Sequence, residues 1–176
     1  MDKHYLTPLF APASIAVLAG RADNPESLTS YAQALHPALR AQRFAGSLQF
    51  VDTHTSGTLA DLAQRKSDLA IIALPPAEVP AALEVAGRIG CRAALVLSSG
   101  MDADQAANLK KIARREGLYL LGPNSLGFQR PHLQLNASAQ DWEALAATLL
   151  FNQELVAQDL RGLQAHFAQS PLLGSL

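Results

Sequence analysis

Short apolar runs alternate with amphipathic stretches along most of this chain. Ser14-Ile15-Ala16-Val17-Leu18-Ala19 is continuous apolar sequence ending at Gly20, the pattern of a strand buried on both faces. Asp23-Asn24-Pro25-Glu26 then reads as a helix start, with Asp23 or Asn24 as N-cap and Pro25 in the first turn. The predicted helix runs from about Glu26 to Arg43, with Leu28, Tyr31, Ala32, Leu35 and Leu39 on one apolar stripe. Pro37 inside it predicts a kink or a split. Ser47 to Val51 reads as a second strand, Thr53 to Gly57 as a loop and Thr58 to Gln64 as a short helix. Asp68 to Leu74 is the clearest strand of the chain and is stopped by Pro75-Pro76. A helix over Ala77 to Ile89 follows, with Gly90 in place to end it. Arg92 to Leu97 is a fourth strand with Ser98-Ser99-Gly100 as its exit. Asp102 to Glu116 patterns as a helix, with Ala106, Leu109, Ile112 and Ala113 inward, and Leu118 to Leu121 is a fifth strand.

Strands and helices thus alternate with short connections, which predicts an α/β domain: a doubly wound, parallel five-stranded Rossmann-like sheet over about Ser14 to Leu121. After Pro131 the alternation stops. Asp141 to about Phe167 is helical in character, with Trp142, Leu145, Leu149 and Leu150 able to share one face. This C-terminal helical tail either packs back on its own domain or covers a partner subunit or another domain.

Composition narrows the function classes. The chain has 176 residues, 49% of them hydrophobic, and a formal net charge of −1. That balance gives no electrostatic reason to expect nucleic acid or an anionic membrane as partner. No apolar run reaches the ~18 residues of a membrane span, and the polar N-terminus has no signal-peptide pattern, so a cytoplasmic protein is expected. The single cysteine, Cys91, excludes an internal disulfide and a cysteine-based zinc site. Beside Gly90 at the edge of an apolar run, it reads as a small buried hydrophobe. The histidines His4, His36, His54, His132 and His166 are not spaced for a metal and stand beside no obvious nucleophile. Ser98, Ser99 and Ser125 lack a G-x-S-x-G context. No catalytic residue stands out.

Chemistry is therefore expected at strand exits, since ligands of open parallel sheets lie beyond the carboxyl ends of the strands. Four exits matter: Gly20 to Asn24, Leu74 to Ala77, Ser98 to Met101 and Gly122 to Gly127. The last, Gly122-Pro123-Asn124-Ser125-Leu126-Gly127, concentrates residues that tolerate positive φ or fix φ, and so predicts a shape-specified loop. The first retains only Gly20 of a dinucleotide G-x-G-x-x-G fingerprint, with Arg21 beside it as a residue able to meet a phosphate. Asp52, just after the second strand, stands where a ribose-binding acid is found in dinucleotide domains, though farther than usual from the first glycine.

Taken together, the segments Pro12 to Leu18, Asp68 to Pro75, Leu95 to Gly100, Leu121 to Gly127 and Leu135-Asn136-Ala137-Ser138 resemble, in order and spacing, the N-terminal CoA-binding domain of NDP-forming acyl-CoA synthetases. The succinyl-CoA synthetase α subunit shares that domain. The G-P-N-S-L-G and L-N-A-S segments are most similar to the branch fused to a GNAT domain, the protein lysine acetyltransferases. The resemblance covers about residues 9–138, with 139–176 as the helical tail. It implies a bound CoA or acyl-CoA. Its phosphates and adenosine would lie over Gly20 and Arg21. The exits Leu74, Pro75 and Ser98, Ser99, Gly100 would border the pantetheine arm, and Gly122, Pro123, Asn124 and Ser125 would lie towards the thioester. The glycines that usually open the first loop of the family are replaced by Ala22-Asp23-Asn24-Pro25, which restricts backbone approach to phosphate. Catalysis would need further domains, as part of a synthetase or as the regulatory half of an acetyltransferase; a homodimer through the tail is the other association expected. The rival reading is a non-catalytic interaction or sensor module that kept the fold and lost the ligand. An NAD(P)-binding domain is a third, disfavoured by the missing fingerprint.

Overall fold

The computed structural model describes residues 4–20, 28–41, 43–51 and 66–139. A four-residue helix α1 (Thr7–Phe10) leads into β1 (Ser14–Leu18), followed by α2 (Ser30–Ala41) and β2 (Ser47–Phe50). Then come β3 (Leu69–Ile72), α3 (Val79–Arg88), β4 (Ala93–Val96), α4 (Ala103–Arg115) and β5 (Tyr119–Leu121). A hairpin ends the described chain: β6 (Gly127–Arg130), a 3-10 turn over Pro131–Leu133, and β7 (Leu135–Ser138). Strands β1 to β5 form one parallel sheet in the order β2-β1-β3-β4-β5. This is the α/β, Rossmann-like, doubly wound arrangement that the alternation predicts.

The three central strands are the continuous apolar runs, because both of their faces are covered. Within β1, Ile15 and Val17 join one core and Ala16 and Leu18 the other. Leu69 and Ile71 alternate in the same way with Ala70 and Ile72, as do Ala93 and Leu95 with Ala94 and Val96. One core is closed by Val79, Ala82, Leu83 and Ala86 of α3 and by Leu109, Ile112 and Ala113 of α4. The other is closed by Ala32, Leu35 and Leu39 of α2, with Leu9 of α1 and Leu135 and Ala137 of β7 completing the cover. Phe10 meets Phe128 edge-on at 5.7 Å, joining α1 to the hairpin. The edge strands β2 and β5 are only partly buried.

Several expectations change. The helix after β1 begins at Ser30 rather than Glu26, and Thr29 caps it by accepting from the Ala32 N–H at 3.1 Å. Pro37 does not split that helix, which continues to Ala41. The missing Pro37 N–H would have bonded the Gln33 carbonyl, and both residues lie on the exposed face, where water can take the bond's place. Thr7–Phe10, ahead of β1, form a short helix, and the alternation does not simply stop at Pro131, since β6 and β7 pair antiparallel. The segment Thr58 to Gln64, Asp52, Arg21 to Glu26 and the tail helix from Asp141 lie outside the described residues. Elsewhere the helix ends agree closely; Asp102 forms a capping box with Gln105. Cys91 is buried as expected, and burial pushes its thiol pKa up to about 12, with the Asp68 charge adding to the shift.

Candidate ligand-binding rim

The sheet order makes the chain turn outward from β1 to β2 and then return to β3 on the other side of β1. The loops leaving β1 and β3 therefore diverge, and the crevice between them is where ligands of open α/β sheets bind. Gly20 ends the β1 side with φ 72°. Leu74 and Pro75 end the β3 side, Ser98, Ser99 and Gly100 follow β4, and Gly122 to Ser125 follow β5.

Three of these exits are bonded to one another. Ser98, fully buried, donates its hydroxyl to the Leu74 carbonyl at 2.6 Å. The Ser98 carbonyl accepts from the Asn124 N–H at 2.9 Å. The Ser125 N–H reaches the Val96 carbonyl at 3.4 Å. Leu74, Ser98, Asn124 and Ser125 thus form one connected rim across β3, β4 and β5. The conformation of the last loop makes this possible. Gly122 has φ 105°, its bond to Pro123 is cis, and Asn124 has φ 59°. A Cβ at Gly122 would collide with the Val96 carbonyl oxygen, so only glycine lets this loop lie on β4. Gly100 has φ 80° with nothing within 4 Å of where a Cβ would stand, leaving its backbone open to an approaching ligand.

Gly20 stands apart from this bonded set and packs against Leu28, whose Cδ2 would lie 3.0 Å from an added Cβ. Arg21 lies outside the described residues. The rim gains two residues, Thr29 just before α2 and Tyr31, which the apolar stripe of α2 concealed. Thr29 donates its hydroxyl to the Ala73 carbonyl at 2.8 Å, and the Tyr31 and Ser99 hydroxyls are hydrogen-bonded to each other. The signal available in the sequence was position alone: both residues stand at the start of the helix that follows the first exit. His36, on α2, is buried against Phe50, with ring centroids 5.0 Å apart, and among the described residues neither ring nitrogen has a hydrogen-bond partner. Burial lowers its pKa below the usual histidine value; the nearby Ala19 carbonyl opposes this and Arg40 adds to it.

The described parts of the four exits carry no lysine or arginine, and Glu78 and Asp102 flank them. No group of three or more metal-ligating side chains occurs among the described residues, and no described helix is long and apolar enough to cross a membrane. A separate cavity of about 200 Å³ lies at the opposite, amino end of the sheet, with Tyr5, Ala13, Asp68 and Arg92 in its wall.

Known proteins resemble parts of this chain. The family described as "CoA binding domain" matches residues 47–131. An ADP-forming acetate–CoA ligase of Methanocaldococcus jannaschii is 35% identical over 75 residues, which are 40% of this chain and 11% of that protein. A second, acetate–CoA ligase [ADP-forming] I of Archaeoglobus fulgidus, is 38% identical over 77 residues, again 40% of this chain and 11% of the relative. The matched segment is therefore about a tenth of the length of these relatives. Among solved structures, the dinucleotide-forming acetyl-coenzyme A synthetase 1 of Ca. Korarchaeum cryptofilum, in complex with phosphate and ADP, superposes with a TM-score of 0.67. It is 24% identical, over 77% of this chain and 31% of that one. That likeness carries the fold. Residues 47–131 thus match a CoA binding domain, in a chain whose Rossmann-like fold is shared with an acetyl-CoA synthetase.

Proposed function

We propose that this chain binds coenzyme A or an acyl-CoA at the carboxyl rim of its sheet, as a binding unit that is not catalytic alone. The larger protein it serves is an ADP-forming acyl-CoA synthetase or a protein acetyltransferase. The observation that carries this reading is a coincidence of two boundaries. The exits at Leu74–Pro75, Ser98–Gly100 and Gly122–Ser125 all fall inside the segment 47–131 that matches a CoA binding domain, and they are the exits bonded to one another. The residues present fit such a ligand. The open backbone at Gly100 and the neutral rim suit an uncharged, amide-bearing arm. The phosphates, which need donors or cations, are left to the Gly20–Arg21 side.

Calorimetric titration of CoA, acetyl-CoA and NAD into the chain tests this. Saturable binding of CoA or acetyl-CoA, without NAD, is the expected result. Silence with all three ligands in a folded sample would overturn it in favour of a module that kept the fold and lost the ligand. Arg21→Ala should weaken CoA binding by about 1.5–3 kcal/mol, the worth of a charge-assisted contact. Unchanged affinity would remove Arg21 from the site.

A further inference from the structure

The hydroxyl pair of Tyr31 and Ser99 joins residues 68 apart in the chain. Tyr31 lies in the first turn of α2, the helix that leaves β1, whereas Ser99 follows β4. Thr29, two residues before Tyr31, bonds the Ala73 carbonyl at the end of β3. The N-terminal end of α2 and its cap are therefore tied to two strand exits. Both Tyr31 and Ser99 are only partly buried.

When one hydroxyl donates to another, the acceptor keeps its own proton and both oxygens keep lone pairs. The pair offers a third group one donor and one acceptor side by side. Neither hydroxyl is charged, no described exit carries a cation, and Glu78 and Asp102 flank this part of the rim. Such a surface offers a phosphate no cation. It matches a secondary amide, which brings one N–H and one C=O. Coenzyme A has that chemistry at one end only: its pantetheine arm carries two amides, and its phosphates belong to the nucleotide end.

Resting on the CoA reading, we propose that the Tyr31 and Ser99 hydroxyls together bind an amide of the pantetheine arm, which makes Tyr31 a ligand-binding residue contributed by a helix. The test compares two ligands on the whole chain: CoA, and adenosine 3′,5′-bisphosphate, which has the nucleotide end without the arm. Tyr31→Phe removes a single oxygen. It should weaken CoA about 3- to 10-fold, the worth of a neutral hydrogen bond, and leave the bisphosphate affinity unchanged. Ser99→Ala should act in the same way and serves as the second variant if Tyr31→Phe lowers the melting temperature. CoA affinity unchanged in both variants would overturn the assignment. So would equal losses for both ligands, which would mark the pair as a support of the fold. Failure of the wild-type chain to bind either ligand would instead overturn the CoA reading, and this assignment with it.

Discussion

The amino end of the sheet holds a cavity of about 200 Å³ with an aspartate and an arginine in its wall, whereas the carboxyl end is a neutral rim of loops bonded to one another. By volume and charge the amino end looks more like a site. Its aspartate, however, is engaged in holding strand starts. The Asp68 carboxylate accepts from the Ala13 N–H at 2.7 Å, just before β1, and the Asp68 N–H bonds the Ser14 carbonyl at 3.0 Å. Its volume also falls below the roughly 300–1,000 Å³ of ordinary ligand sites. At the carboxyl end, backbone conformations that favour glycine bring three loops into register and leave hydroxyls at the surface. The difference teaches that a hole is what remains where strand starts are tied together, while a binding rim has to be shaped by the backbone.

The sharpest way to break this comparison is to remove the shaping glycine. Gly122→Ala forces a Cβ against the Val96 carbonyl at φ 105°, and should cost more than about 3 kcal/mol in denaturant unfolding, strain and collision combined. Gly100→Ala has the same kind of φ with open space around it, so its loss should stay near 1 kcal/mol. Equal losses would show that close approach to β4 does not matter. Next in size, Ser98→Ala removes a buried hydroxyl and leaves the Leu74 carbonyl unpaired. It should cost about 1–3 kcal/mol and weaken CoA as well, because the β3 exit loses its tie to β4. A stability loss without an effect on CoA would separate the rim's architecture from its ligand.

His36 supplies a pH test of smaller size. Its folded pKa lies below the unfolded value of 6.5, so the unfolded chain binds more protons between the two. Stability should be fully present above about pH 6.5 and fall as pH drops from there towards the lowered folded value. His36→Leu should flatten this part of the stability profile, and an unchanged slope would mean that folding does not shift the protonation of His36. The smallest effect belongs to the amino-end cavity. Arg92→Ala at this exposed position should change stability by no more than about 0.5 kcal/mol and leave CoA affinity untouched. A clear loss of CoA binding there would reverse the assignment of the two ends.

Much of this was legible in the chain. The apolar runs that became β1, β3 and β4 announced themselves because strands covered on both faces need no polar alternation. The loop from Gly122 to Ser125 was legible because glycine, proline and asparagine each restrict or widen φ in a known way. The hairpin was not. Its turn, Pro131 to Gln134, has no glycine and places Gln134 at φ 51°, and its strands are four residues each. Too little pattern is present there to outweigh a helix or a loop. The role of Tyr31 was hidden for another reason. At helical spacing it counts as one more apolar position, and nothing local marks the hydroxyl that it meets.

The sequence by itself determined which segments become strands and helices and which strand exits carry unusual backbone, because hydrophobic period, capping and φ preference are local properties. The tertiary structure alone decided the order β2-β1-β3-β4-β5, the bonding of the β3, β4 and β5 exits into one rim, and the meeting of Tyr31 with Ser99. Those facts depend on how elements distant in the chain pack on two faces of one sheet, and no local preference encodes a contact between residues 68 positions apart.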